Sequence, residues 1–242
     1  MLRKFIIFLF FILTVSGCAT YVKKSPAFDT AIKEIKTIAV MPPDIEVYQL
    51  SAGGVRELMD EWSDTAQALF RKSLEKNLAD RFGYKVKFID KEWLKANYKE
   101  LWNENKALYQ AVAISALMHA YPGELSFPDK TKSFDYTLGQ ELSQLAKVCQ
   151  ADALLFVQGV DHEATAGRTA LLVWNLVMAG FTGVSIIPVT PSNMNMGLAD
   201  AKTGALAWFK ITAHDAEYSF RNEQHVNILV EWFTRDFLQK KK

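Results

Sequence analysis

Apolar residues recur at steps of mostly three and four through Val55, Leu58, Trp62, Ala66, Leu69, Phe70, Leu74, Leu78 and Phe82, and this stripe constrains the fold most. The spacing predicts a long helix, entered through a flexible turn at Gly53-Gly54, with one apolar side. A one-sided helix needs a layer to lie on. The runs that could form that layer are short and follow a different rule. Residues 35–41 (IKTIAVM) are β-branched and apolar, and Pro42-Pro43 halts them because proline cannot continue a ladder. Gly83 ends the long helix, and residues 84–89 then alternate as a second strand. Residues 153–160 (ALLFVQGV) suit a central strand covered on both faces.

Between these strands Asp90 is placed to cap a helical stretch reaching about residue 120. A loop with Pro122, Gly123 and Pro128 follows, and Thr137 with Gln140 matches a capping box for a helix ending at Cys149. Residues 194–200 and 205–213 read as two strands joined by the turn-rich residues 201–204, hence a hairpin. A final helix sets Val226, Leu229, Val230, Phe233 and Phe237 on one face and ends in three lysines, which suit a helix C-terminus. The sum is an α/β domain over residues 34–239: a layered sheet flanked by helices, with a C-terminal β-hairpin and a final helix. Crossovers between parallel neighbours are expected to be right-handed.

The N-terminus carries a different message. Arg3 and Lys4 precede an apolar run over residues 5–15, broken only by Thr14 and followed by the small residues Ser16 and Gly17. This is the layout of a secretory signal. Eleven residues rising ~1.5 Å each cover roughly half of a ~30 Å hydrocarbon core, too little for a permanent helical span. Val15-Ser16-Gly17-Cys18 resembles a bacterial lipobox, although leucine is the usual residue where Val15 stands. The resemblance implies that residues 1–17 are cleaved, that Cys18 becomes the acylated first residue, and that residues 18–33 serve as a tether. Two or three acyl chains would hold the domain at a bilayer, since each buried CH₂ contributes about 0.8 kcal/mol. Ala19, in place of the Asp of retained lipoproteins, implies the periplasmic face of the outer membrane.

Cleavage would leave 26 basic against 27 acidic side chains, which gives no support to nucleic-acid binding. Only Cys149 would remain as a thiol, so no internal disulfide can form; with Leu138, Leu142 and Leu145 at helical spacing, it reads as buried.

Three segments resemble envelope lipoproteins: IKTIAVMPP, ADALLFVQG and LADAKTGALAWF. The group includes the curli secretion channel subunit, the penicillin-binding-protein activator lipoproteins, and the N-terminal domain of the Tol-system β-propeller protein. VMPPDIEVYQLSAGGVRELMDEWS is similar to uncharacterised bacterial lipoproteins, a likeness that implies no activity. The resemblance implies the α/β fold, but that fold serves pores, regulators and assembly factors alike.

Two regions are candidate sites. No charge occurs over the 31 residues between Arg168 and Asp200, and residues 169–187 are strongly apolar. Burial within the domain is the expectation; an exposed surface for a partner, for self-association or for the membrane is the alternative, with Trp174 and Phe181 as anchors and Trp208 on the hairpin beside them. A transmembrane helix is the third reading, weakened by Asn175, Gly180, Gly183 and Ser185. Parallel strands would also gather Asp44, Asp90, Asp161, His162 and Glu163 at one rim, where open α/β sheets bind ligands. His162-Glu163 lacks the second histidine of a zinc motif, and neither CxxC nor GxSxG occurs. Solvated carboxylates are the expectation there, with no catalytic residue, cofactor or metal. The functional expectation is a membrane-tethered, non-catalytic accessory or partner-binding component. The alternatives are a subunit of an oligomeric outer-membrane secretion complex, and a hydrolase using the carboxylate rim.

Overall fold

A computed structural model describes residues 22–78, 84–182, 192–214 and 218–235. Cys18 and Phe237 lie outside them, as does the side chain of Phe181. One eight-stranded sheet organises the described residues. Near one edge, β2 (Thr37–Val40) runs parallel both to β5 (Lys85–Phe88) and to β6 (Ala153–Ala164). Beyond β6, β7 (Ser192–Asp200), β8 (Leu206–His214) and β1 (Val22–Lys24) follow in antiparallel order. The parallel strands and the β7–β8 hairpin are those expected from the sequence.

The helices fall on both faces because the sheet alternates. In β6, Leu155 and Val157 face one core while Leu154 and Phe156 face the other. The first core takes α1 (Phe28–Glu34) through Phe28, α2 (Asp60–Leu78) through Ala66, Phe70, Leu74 and Leu78, and α8 (Glu223–Arg235) through Val226, Leu229, Val230 and Phe233. The second takes α3 (Lys91–Asn97) through Leu94, α4 (Lys99–His119) through Trp102, Tyr109, Ala113 and Ala116, and α6 (Leu142–Cys149) through Leu142, Leu145 and Cys149. A short α5 (Pro128–Lys132) buries nothing. Each large apolar side chain so buried contributes about 1.5–3 kcal/mol, which is how the two helical layers are held.

Three expectations need correction. The long helix starts at Asp60, because residues 44–58 form β3 (Asp44–Leu50) and β4 (Arg56–Leu58), joined by a turn that contains Gly53 and Gly54. Val55 and Leu58 share the helical spacing by coincidence and stand exposed. Pro42-Pro43 interrupts the ladder, but Met41 N–H still donates to Leu155 O, and the chain resumes beside β6 from Asp44 opposite Gln158 to Leu50 opposite Ala164. Second, the capping box does not form. Thr137 Oγ1 donates to Gly204 O and accepts from Gly139 N–H, tying this loop to the β7–β8 turn, while the cap position of α6 is Glu141, whose side chain makes no capping bond.

Third, the chain joins the fold well before residue 34. β1 pairs with β8 from Val22 opposite Lys210 to Lys24 opposite Trp208, and Phe28 is buried. The expected tether over residues 18–33 is therefore cut short at Val22.

Candidate functional site

The five rim residues do not converge. Asp90 caps α3, accepting from Trp93 N–H at 2.8 Å. Asp44 opens β3, where Lys106 of α4 lies at 2.6 Å and Gln110 and Gln158 donate at 2.8 and 3.3 Å. In the register Asp44 lies opposite Gln158, so Asp161 is three residues further along β6 and on the other face. About 10 Å of strand separates the two levels.

Asp161 is buried, and both its oxygens are engaged. Ser192 Oγ and His162 N–H donate to Oδ1, the latter at 2.8 Å, and Phe220 N–H donates to Oδ2 at 2.8 Å. Glu163 accepts from Ser219 Oγ and from Arg221 Nη1, each at 2.7 Å, and the Arg221 guanidinium lies over the Trp62 ring. His162 is buried, with its ring stacked on Tyr48. Asp161 and Glu163 thus clamp the end of β6 to residues 219–221 ahead of α8. Neither was legible as a clamp in the sequence, because the partners other than the adjacent His162 lie 31 or more residues away; solvated loop carboxylates describe neither of them. Among the described residues no three of His, Cys, Asp and Glu are grouped to hold a metal ion.

The strand order reverses at β2, whose neighbours β5 and β6 are reached by helices on opposite faces. The crevice beyond its C-terminal end, about 460 Å³, is lined by Pro42, Asp44, Asp64, Gln67, Lys91 and Lys106. Lys91 donates to Gln67 Oε1 at 2.8 Å, and Lys106 pairs with Asp44, so the crevice is polar and internally paired. Sequence reasoning found Asp44 here and missed the two lysines, which only the α3–α4 layer brings opposite it.

Trp208 is not available to a partner. It is fully buried on β8 within the first core, because its strand position faces the layer of α1 and α8 rather than solvent. Cys149 is likewise buried, and burial pushes its thiol up to about 11, tempered by Lys87, whose Nζ contacts the carbonyls of residues 149 and 150. That is the inert thiol expected.

Residues 166–175 are the exception to good burial. α7 (Ala166–Thr182) leaves the end of β6 with Thr165 Oγ1 accepting from Arg168 N–H. Its first turn sits against the β3–β4 turn: a Cβ on Gly167 would stand 3.6 Å from Ala52 Cβ. Along the helix the usual pattern is inverted. Arg168 and Asn175, a turn or two apart on one face, are buried, whereas Leu171, Val173 and Trp174 are 40%, 59% and 63% exposed. Burial, the expectation for residues 169–187, therefore fails at Leu171, Val173 and Trp174, where α7 runs on past the end of β6; the side chains of residues 176–187 lie outside the described ones. No helix among the described residues is long and apolar enough to cross a membrane. A second exposed apolar row runs along α4 through Leu108, Ile114, Leu117 and Met118.

No protein-family model matches this chain, and no curated protein does. Solved structures do. A PelC dodecamer from Paraburkholderia phytofirmans aligns with a TM-score of 0.39 at 9% identity, covering 91% of this chain and 96% of that one. Lipoprotein GNA1162 from Neisseria meningitidis aligns at 0.34 and 13% identity over 83% of this chain and 96% of its own. The LpoB C-terminal domain from Salmonella enterica aligns at 0.27 and 10% identity, covering 77% and 93%. Likeness at this distance assigns no role.

Proposed function

We propose that this chain is a lipid-anchored, non-catalytic accessory protein of the bacterial envelope, whose domain is held at the periplasmic face of the outer membrane to engage a protein partner. One observation carries the reading: a secretory signal ending at Cys18 stands only a few residues ahead of a strand already paired into the sheet. Acyl chains on Cys18 would fix the domain at the bilayer, and confinement to a surface raises its effective concentration near any partner held there. A non-catalytic role is supported by the commitments of the acidic residues, since Asp161, Glu163, Asp44 and Asp90 each already hold two elements together or cap a helix.

The apolar row on α4 supports engagement of a protein, as solvent-facing Leu, Ile and Met at helical spacing suit a partner's apolar surface. A photoreactive residue at position 114, used in intact cells, is expected to capture a different envelope protein. Capture of nothing, or only of a second copy of this chain, contradicts the partner reading, and the second of these results favours the oligomeric subunit.

A further inference from the structure

The sheet register fixes where an anchor on Cys18 emerges. β1 runs antiparallel to β8, with Val22 opposite Lys210, so the residues ahead of Val22 approach from the end of the sheet where β8 finishes. At that same end Ser192 lies opposite His214, Asn193 lies opposite Val160, and β6 gives way to α7. Three residues lie between Cys18 and Val22, so four steps at ~3.5 Å each give a reach of at most ~14 Å. The anchor is thus confined to the end of the molecule that carries α7.

We propose that α7 lies on the bilayer that receives the acyl chains, with Leu171, Val173 and Trp174 sunk into the boundary between headgroups and acyl chains. This inference rests on the lipid-anchor reading. Four observations converge on lipid as the occupant. Over residues 168–175 the helix is inverted, with polar Arg168 and Asn175 turned inward and Leu171, Val173 and Trp174 outward, a pattern that suits an apolar surrounding. No charged residue follows Arg168 until Asp200, and Arg168 is itself buried against the domain, so no charge on the exposed face of this helix has to be desolvated at the membrane. Trp174 is 63% exposed, and tryptophan is a side chain that favours the bilayer interface. Finally, Val55, 68% exposed on the adjoining β3–β4 turn, adds apolar surface at the same end. Two attachments, acyl chains and helix, would set the tilt of the domain, whereas the acyl chains alone would leave it free to swing.

The test uses the full-length mature protein in vesicles of phosphatidylethanolamine and phosphatidylglycerol. An environment-sensitive fluorophore is placed through Val173→Cys, Trp174→Cys or, as a control on the other exposed helix, Ile114→Cys. Labels at 173 and 174 are expected to shift to the blue, to be quenched by nitroxide-bearing lipid and to escape aqueous iodide; the label at 114 is expected to stay open to iodide. Trp174→Asp is expected to return the 173 label to water while the protein stays attached. Labels at 173 and 174 as open to iodide as that at 114 would overturn the proposal. Labels shielded from iodide yet untouched by nitroxide lipid would overturn it too, since protein would then be the cover. Intact mass of the same samples reads the anchor separately. If no acyl mass is found, a Cys18→Ser chain held on chelating-lipid vesicles through an N-terminal histidine tag gives the same optical outcomes, with the same meanings for α7.

Discussion

Asp161 is a charge kept inside the protein for its geometry. A buried carboxylate is costly unless its lone pairs are filled, and here Ser192, His162 and Phe220 fill them. Asp161→Asn keeps the shape but turns an N–H donor toward either Ser192 or the Phe220 amide, so one buried group loses its partner. The expected cost is about 1–3 kcal/mol, read as a lower urea midpoint with unchanged slope. An unchanged midpoint would show that the clamp does not hold α8 to the sheet. Nothing in the sequence distinguished this aspartate from a solvated one. Only the extension of β6 past residue 160, with Asn193 pairing opposite Val160, draws it inside.

Among the elements, α6 shows how local pattern and burial agree. Leu142, Leu145, Ala146 and Cys149 line one face and pack under the sheet, as their spacing predicts. The Cys149 thiol, pushed up by burial from 9.0 to about 11, binds its proton more tightly folded than unfolded. Its contribution to stability is therefore complete below about pH 9 and is lost as the pH rises through about 11. Tyr109 and Tyr121, also pushed up by burial, act in the same direction. The urea midpoint is expected to fall between pH 8 and pH 11, and to fall by less in Cys149→Ala; equal falls in the two proteins would contradict a buried thiol.

Other elements were less legible, for reasons that differ. The strands β2, β5 and β6 and the β7–β8 hairpin announce themselves by apolar runs between turn residues. β3 alternates as clearly, with Ile45 and Val47 buried and Glu46 and Tyr48 more open, yet two prolines ahead of it read as a stop. Prolines end a ladder only if the chain leaves the sheet, and here it continues beside the same neighbour. β1 is three residues of an edge strand, VKK, whose pairing depends wholly on β8. The inverted face of α7 could have been read from Arg168 and Asn175 at helical spacing amid apolar neighbours; a long apolar run invited burial instead.

At the scale of the whole molecule, location precedes task. The sheet is built so that the start of its N-terminal strand, the end of β6 and α7 all meet at one end, next to which the proposed acylation at Cys18 would place the anchor. In the proposed reading the α/β layers supply rigidity, the exposed apolar residues of α4 would supply a face for a partner, and Cys18 would supply the place. The account depends on that last element, because without the anchor neither the confinement nor the orientation follows. The direct test is the intact mass of the mature protein purified from membranes. The predicted result is a chain beginning at Cys18 and carrying the added mass of a diacylglyceryl group with or without a further acyl chain. A chain that begins at another residue, or at Cys18 with no added lipid, would contradict it.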